Sequence, residues 1–291
     1  MQVYDEINAN KRKTIGLIFG FLILIGGLSW FGGLYFGDFS ITVGAMIGAL
    51  LYVTWSYYGS SKAALTFNGA REIQKKDDPR LWRIVENLAI TNGMPMPKVY
   101  IMDDPGLNAF ATGRDPEHAS VAITTGLLHV LEDSELEGVM AHELGHVKNY
   151  DIRVSMIVFG LVAVISIMAD ILLRATWFSS GDRDNKNGAL QALAIVAMIV
   201  SPLIAALVQA SISRKREYLA DATGALTTRY PEGLARALEK IRDGGSAMKR
   251  QNTSTAHLFF ANPLSAKGMS KAFSTHPPVN DRIAKLRGMN K

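Results

Sequence analysis

His142-Glu143-Leu144-Gly145-His146 is the segment that decides how the rest of this chain is interpreted. On a helix, the two histidines are four positions apart and lie on one face, so both imidazoles can reach the same ion. Glu143 follows the first histidine and can contact a water held on that ion without binding the metal itself. Two nitrogen ligands, an open coordination position and a neighbouring carboxylate are typical of a catalytic zinc site. The same pattern fits a surface helix with two solvated histidines, so the flanking sequence has to distinguish the two interpretations.

The motif lies well inside a predicted helix. Ser134 and Glu137 form a capping-box pattern with the serine as N-cap, and Leu136 and Val139 begin an apolar face that leads into the motif. The helix is predicted to end near residues 149–151. Neither histidine lies in a fraying terminal turn, so the geometry of a helix applies to both.

The sequence around this helix predicts a mostly helical α+β protein with a small sheet. Three segments, residues 98–102, 108–112 and 120–124, have the composition of strands. The turn-forming residues 113–117 join the last two, so we expect an antiparallel hairpin there. Asp78-Pro79 predicts the start of a further helix, with aspartate as N-cap and proline at the first helical position.

Two histidines leave a catalytic zinc ion one protein ligand short. Glu217 is the best candidate among the carboxylates, because Asp221 lies one helical turn later on the same face. From there Asp221 can accept the second ring N–H of a ligating histidine, which fixes the tautomer of that histidine. The alternative is a solvated helix face on which these two carboxylates pair with Arg214 and Arg216. The upstream histidine motif favours the metal ligand.

Long apolar runs predict an integral membrane protein. Residues 15–35 and 39–58 carry no charge, and each run is close to the ~20 residues that a helix needs to cross a bilayer. They are interpreted as a tight transmembrane hairpin. Residues 155–173 and 189–213 are interpreted as a second spanning pair, with buried core helices as the alternative. The chain is thereby divided into an N-terminal membrane hairpin (1–59), a soluble part with the sheet and the histidine motif (60–151), the second hydrophobic pair (152–213) and a C-terminal part with the third ligand (214–291).

Charge and cysteine content narrow the location and the chemistry. The net charge is +5, and basic triplets flank the apolar runs at residues 11–13 and 214–216. Basic residues mark cytoplasmic segments, so both termini and residues 60–151 are predicted to face the cytoplasm. Contact with anionic lipid explains the basic excess, and no nucleic-acid partner is needed. The chain has no cysteine, which excludes disulfides, thiolate metal sites and a cysteine nucleophile.

Several motifs, taken in order, resemble the HtpX-type membrane metalloproteases, part of a broader group that includes the CAAX prenyl proteases. The resemblance covers nearly the full length of the chain, beginning with the N-terminal pair of apolar helices. The shorter motifs that carry it are residues 108–113 (NAFATG), 142–146 (HELGH), 217–221 (EYLAD) and 274–278 (STHPP).

This resemblance implies a zincin-type protease domain with one zinc ion per chain. It implies that His142, His146 and Glu217 hold the zinc ion and that Glu143 activates a water molecule. It also implies a site at the cytoplasmic face of the bacterial inner membrane, where membrane or misfolded proteins are cleaved in quality control under stress. The expected partners are polypeptide substrates and the lipid bilayer.

The resemblance further implies roles for residues that do not bind zinc. His276 is expected to stabilise the oxyanion or to occupy the fourth zinc position in a resting state. Arg282 is expected to orient the local loop by pairing with an acid. An edge strand is expected to pair with the backbone of extended substrates, and its residues are Asn108, Ala109, Phe110, Ala111 and Thr112.

Two other functions fit parts of the sequence. A membrane protein with a structural zinc site would need four protein ligands and would have no use for Glu143. A transporter would place polar groups near the bilayer midplane, often on broken helices, whereas the first two apolar runs carry no charge. We therefore expect a zinc-dependent endopeptidase, with these two functions as alternatives.

Overall fold

The computed structural model describes residues 2–178, 214–250, 255–263 and 277–289. Its helices are α1 (Gln2–Phe36), α2 (Ser40–Phe67), α3 (Pro79–Asn92), α4 (Thr125–Val130), α5 (Asp133–Lys148), α6 (Asp151–Phe178), α7 (Arg214–Thr228), α8 (Pro231–Gly244) and α9 (Val279–Gly288). Its strands are β1 (Ala70–Glu72), β2 (Lys98–Met102), β3 (Ala109–Gly113) and β4 (Ala119–Thr124). The predicted mostly helical architecture with a small sheet is confirmed.

The four described strands form a mixed sheet in the order β1-β2-β4-β3. β2 and β4 are parallel, and β3 pairs antiparallel with β4, as predicted for the hairpin. Gly113 ends β3 with φ 138, and a Cβ at this position would lie 2.5 Å from the carbonyl oxygen of His118, so the turn requires glycine. Strand β1 was not predicted, because three residues are too short to show alternation. β3 lies at one edge of this sheet, next to the helices.

Helix α5 is the centre of the structure and is buried along nearly its whole length. Close contact with its neighbours depends on glycines at the crossings. A Cβ at Gly224 of α7 would lie 3.1 Å from the backbone nitrogen of His142, and a Cβ at Gly138 would lie 2.7 Å from the backbone nitrogen of Leu234 in α8. Small residues at these crossings let the helix backbones approach each other. Helix α7 is thereby brought against the histidine face of α5.

The start of α5 differs from the prediction. The helix begins at Asp133 with Glu132 as its N-cap, and the carboxylate of Glu135 accepts the backbone N–H of Glu132 at 2.8 Å. The proposed cap at Ser134 is therefore wrong by two residues. Glu135 is buried and also bound by Lys240 of α8 at 2.7 Å. This ion pair holds the Glu135 carboxylate that completes the capping box with Glu132. The local sequence cannot show a partner from a distant helix.

The first apolar run falls within α1, and the second falls within α2 apart from Phe39, which is the N-cap of α2. A short turn with Gly37 at φ 67 joins the two helices. Within the residues that the structure describes, no helix combines the length and the hydropathy expected of a membrane span. The predicted spans are therefore not confirmed and stay a prediction. The run at 155–173 falls within α6. The run at 189–213 lies outside the described residues.

Candidate metal centre

Three side chains from two helices converge on one point beside α5. The Nε2 atoms of His142 and His146 are 3.1 Å apart. Glu217 of α7 places Oε2 at 3.8 Å from Nε2 of His142 and Oε1 at 3.5 Å from Nε2 of His146. One ligand atom from each of the three residues lies within 4.8 Å of the others. The structure thus brings together the three predicted metal ligands across a long separation in sequence.

The donor set fits a zinc ion. Tetrahedral coordination at about 2.0–2.2 Å places neighbouring ligand atoms roughly 3.3–3.6 Å apart. The shortest distance between each pair of residues here is 3.1–3.8 Å, with a different oxygen of Glu217 nearest to each histidine. Each histidine has a carboxylate at its Nδ1 atom, which places a proton on Nδ1 and directs Nε2 toward Glu217. His142 offers a free lone pair on Nε2, and His146 offers one once its Nε2 proton is lost. Two imidazole nitrogens and a carboxylate then form a donor set that suits a bound Zn²⁺.

His142 is held by a buried ion pair. Its Nδ1 atom contacts Oδ1 of Asp221 at 2.9 Å. Arg282 of α9 donates to both oxygens of this carboxylate, at 2.6 Å and 2.8 Å, in a bidentate pair. Burial raises the pKa of Asp221, but the charge of Arg282 and the hydrogen bonds hold it well below its usual range. Burial lowers the pKa of His142 to about 4, so this imidazole is neutral.

His146 is held by a different carboxylate, that of Asp151. Its Nδ1 atom contacts Oδ2 of Asp151 at 2.9 Å. Burial lowers the pKa of His146, but the hydrogen bond to Asp151 and the charge of Glu217 outweigh burial and raise it to about 9. Sequence reasoning did not assign a role to Asp151. Its signal was local: it is the first acidic residue after the motif, at the predicted end of the metal helix.

Glu143 points to the same site and is buried. Burial raises the pKa of its carboxyl group to about 7, and the charge of Glu217 contributes in the same direction. The carboxylate accepts the backbone N–H of Ala111, which belongs to the edge strand β3. A carboxylate with a pKa near neutrality exchanges protons readily at the pH of a cell. The site therefore combines three side chains that could hold a metal ion with a proton acceptor.

Comparison with known proteins agrees with this geometry. Residues 75–290 match the sequence profile of Peptidase family M48. The chain belongs to peptidase family M48. It is therefore a metallopeptidase, a hydrolase of peptide bonds, as the sequence predicted.

Relatives in this family match over nearly the whole chain. A "Protease HtpX homolog" of Tropheryma whipplei (strain TW08/27) is 49% identical over 287 residues, covering 99% of this chain and 98% of the relative. A "Protease HtpX homolog" of Dictyoglomus thermophilum is 46% identical and covers 98% of this chain and 94% of the relative. The predicted resemblance to HtpX-type proteases is confirmed.

A solved structure shares the fold. The crystal structure of S. mikatae Ste24p superposes with a TM-score of 0.51 at 19% identity, covering 97% of this chain and 67% of that chain. At this identity the likeness concerns the fold alone. It agrees with a mostly helical M48 architecture around a small sheet.

The predicted substrate strand of this M48 peptidase lies beside the metal centre. The carbonyl oxygen of Ala109 accepts the backbone N–H of Phe260 at 2.8 Å. The side-chain amide of Asn108 donates to the carbonyl oxygen of Ala261 at 2.7 Å and accepts the N–H of Ala261 at 3.0 Å. The outer edge of β3 is thus bonded to the segment 255–263 at one position and to Glu143 at another. Phe110 and Thr112 have other partners, since Phe110 packs on Phe259 at 5.0 Å between ring centroids and the Thr112 hydroxyl contacts the sulfur of Met156.

Phe260 is a site residue that sequence reasoning missed. Its ring lies edge-on to His142 at 5.0 Å between centroids, and the Arg282 guanidinium lies 4.8 Å from the ring centroid. The ring is buried and covers the ion pair that orients His142. Its only sequence signal was an apolar stretch near His257. His276, predicted to assist the oxyanion or to bind zinc, lies outside the described residues.

Proposed function

We propose that the chain is a membrane-embedded, zinc-dependent endopeptidase that cleaves membrane or misfolded proteins at the cytoplasmic face. The observation that carries this proposal is the convergence of His142, His146 and Glu217, with one ligand atom from each within 4.8 Å of the others and Glu143 buried beside them. The M48 family supplies the reaction class. Zinc, the membrane location and a role in quality control are the parts that we infer.

The three ligands leave room for catalysis. Three protein ligands leave the fourth position of a tetrahedral zinc ion open, which is typical of catalytic rather than structural sites. A bound Zn²⁺ would supply Lewis acidity and would lower the pKa of a water molecule in that position. His142 and His146 would hold the ion through Nε2, because carboxylates bind both Nδ1 atoms.

Glu143 is the proposed general base. Its buried carboxylate is placed to accept the proton of the attacking water and to return it to the leaving amine. The Ala111 N–H holds the carboxylate near β3, where we expect the scissile bond. His276 is proposed to donate to the developing oxyanion or to bind zinc in a resting state. Asp221 and Arg282 are proposed to position His142.

Substrates are proposed to bind as extended chains along β3. The edge position of β3 and the direction of the Ala109 carbonyl and the Ala111 N–H support this proposal, because backbone groups accept many sequences. A substrate strand would take over the hydrogen bond that Phe260 now makes. Recognition by main-chain hydrogen bonds suits an enzyme that acts on misfolded polypeptides.

The N-terminal hairpin supports a membrane location. Large apolar side chains on its two helices are more than half exposed, and several recur at four-residue spacing. They are Ile15, Phe19, Ile23, Trp30 and Leu34 on α1, and Ile47, Leu50, Leu51 and Trp55 on α2. An apolar surface of this extent is unfavourable in water and is matched by lipid. The basic residues 11–13 at the start of the first run support a cytoplasmic N-terminus.

Metal analysis beside a cleavage assay tests the catalytic part. Detergent-purified wild-type protein should contain about one zinc ion per chain and cleave casein until a chelator removes the metal. Glu217→Ala should lose both zinc and cleavage. Glu86→Ala is the matched control, because Glu86 of α3 forms a surface ion pair with Lys75, away from the metal centre. Zinc-free active wild type, or an active Glu217→Ala variant, would contradict the proposal.

Extraction of cell membranes tests the location. A chain embedded through its N-terminal hairpin should stay in the pellet after washing with alkaline carbonate, which removes peripheral proteins. Release of the full-length protein into the wash would rule out embedding. The catalytic proposal would be unaffected, because the metal centre is measured separately.

A further inference from the structure

Asp151, which holds His146, is the meeting point of four helices. It is the first residue of α6, follows the metal helix α5 and is buried. Its Oδ2 atom binds Nδ1 of His146 at 2.9 Å. Its Oδ1 atom accepts hydrogen bonds from Asn10 of α1 at 2.8 Å and from Arg216 of α7 at 3.3 Å. The orientation of one metal ligand therefore depends on a residue of the N-terminal helix.

Asn10 uses both protons of its side-chain amide at this junction. One is donated to Oδ1 of Asp151 at 2.8 Å and the other to the carbonyl oxygen of Asn149, also at 2.8 Å. Asn10 is 4% exposed, so both hydrogen bonds are shielded from water. The amide thus bridges the two ends of the turn between α5 and α6. Loss of this side chain would leave a buried carbonyl and a buried carboxylate oxygen short of donors.

The bridged turn has a conformation that needs support. Tyr150, between the two bridged residues, has φ 61, which is uncommon for a residue with a side chain. Two cations lie over its ring, with Lys11 Nζ at 4.8 Å and the Arg153 guanidinium at 4.7 Å from the centroid. Lys11 is the neighbour of Asn10. Adjacent residues of α1 therefore hold the same turn, one through its backbone and one through its aromatic ring.

We propose that Asn10 is a positioning residue of the metal centre, which holds the Asp151 carboxylate in the orientation that fixes His146. The inference rests on the proposed function, since it assumes that His146 binds zinc. Arg216 would still hold Asp151 without Asn10, so the loss is partial rather than complete. The first turns of the N-terminal helix are then part of the metalloprotease centre and not only a membrane anchor.

A packing role for Asn10 makes a different prediction. If Asn10 only filled space between α1 and α6, a side chain of similar shape would replace it. Asn10→Leu keeps the branched shape without donors, and Asn10→Ala removes both shape and donors. If Asn10 positions Asp151 by hydrogen bonds, both variants should lower the zinc affinity to a similar extent. Asn8→Ala is the matched control, because Asn8 lies on the same helix and is exposed.

The test uses the full chain in detergent, with two readouts that do not depend on activity. Zinc affinity is measured by competition with a chromophoric chelator, and the visible spectrum of the Co²⁺-substituted protein reports the ligand geometry. Asn10→Leu and Asn10→Ala should bind zinc about tenfold more weakly, at the lower end of the effect of outer partners of a ligating histidine. Both should also show a weaker tetrahedral Co²⁺ band. Asn8→Ala should match the wild type, and thermal unfolding of the metal-free proteins shows whether each variant is folded.

Each outcome decides the question. Wild-type affinity and spectrum in Asn10→Leu, whatever Asn10→Ala does, would overturn the positioning role in favour of packing. If the wild type binds zinc and neither Asn10 variant differs from Asn8→Ala, this inference alone fails. If the wild type binds no zinc, the proposed function fails and this inference fails with it.

Discussion

The two histidines of the metal centre are chemically alike but lie in opposite electrostatic surroundings. His142 and His146 are one turn apart on α5, and each has a carboxylate oxygen 2.9 Å from Nδ1. Burial lowers the pKa of His142 to about 4. For His146 the effect of burial is outweighed, mainly by the hydrogen bond to Asp151 and the charge of Glu217, and the pKa rises to about 9.

The difference comes from the partners of the two carboxylates. Asp221 beside His142 is neutralised by the bidentate pair with Arg282, and this guanidinium also disfavours a positive imidazole. Asp151 beside His146 is held by Asn10, a neutral donor, and more weakly by Arg216. One ligand is therefore ready to bind a cation at any physiological pH. The other has to give up a proton first.

The largest expected effect is on Glu143, which lies between the two histidines and belongs to neither carboxylate pair. Glu143→Gln should keep zinc bound and lower kcat by about a thousandfold, within the usual range for a general base. The measurement is zinc content together with peptide cleavage. Glu137→Gln, the same change on the same helix at a half-buried position, is the control and should retain activity. Wild-type turnover in Glu143→Gln would rule out the base assignment.

The second largest effect should be on the free energy of unfolding, and it should appear on the His142 side of the centre. Asp221→Ala leaves Arg282 buried without its carboxylate, and breaking a buried pair in this way costs about 3–5 kcal/mol. Urea unfolding of the metal-free protein measures the loss. The double variant Asp221→Leu with Arg282→Met should recover most of the stability but not zinc binding. Equal stability of the single and double variants would show that the buried charge is not the cause.

Changes beside His146 should lower the zinc affinity more than the free energy of unfolding. Asp151→Asn removes the carboxylate that fixes the imidazole but keeps the shape, and zinc affinity should fall by about 10–100-fold. Chelator competition measures this change. Asp133→Asn is a suitable control. Asp133 also begins a helix, but its side chain is exposed, whereas Asp151 is buried. An unchanged affinity in Asp151→Asn would remove Asp151 from the centre.

The smallest effect is a proton count that distinguishes the histidines directly. His146 with a pKa of about 9 is protonated at pH 8 in the metal-free protein, whereas His142 with a pKa of about 4 is not. Zinc binding at pH 8 should therefore release one proton from His146 in addition to any proton lost by a zinc-bound water, and zinc affinity should rise with pH up to about 9. Calorimetry in buffers of different ionisation enthalpy measures this release. Asp151→Asn should reduce it and Asp221→Asn should not; equal release in both variants would contradict the assignment.

The sequence predicted helix ends and the hairpin correctly where the determining residues are close together in the chain. Asp78 caps α3 by accepting the N–H of Leu81 at 2.9 Å, as the sequence predicted, and Gly93 ends the helix in the left-handed region. The β3–β4 hairpin also formed as expected. The cap of α5 did not, because Lys240 from a distant helix fixes the glutamate at its start. The short-range pattern at Ser134 therefore failed, because a charge from a distant helix favours Glu132 as the N-cap.

The sequence by itself determined which side chains could form a metal centre. The spacing of His142 and His146 on a helix, and the placement of Glu217 and Asp221 one turn apart, follow from local geometry and from the needs of a zinc ion. Only the tertiary structure decided which partner holds each histidine. Asp221 is paired by Arg282 and Asp151 by Asn10, and these partners are separated by 61 and 141 residues. Contacts at such distances depend on how helices pack, and no periodicity along the chain records them.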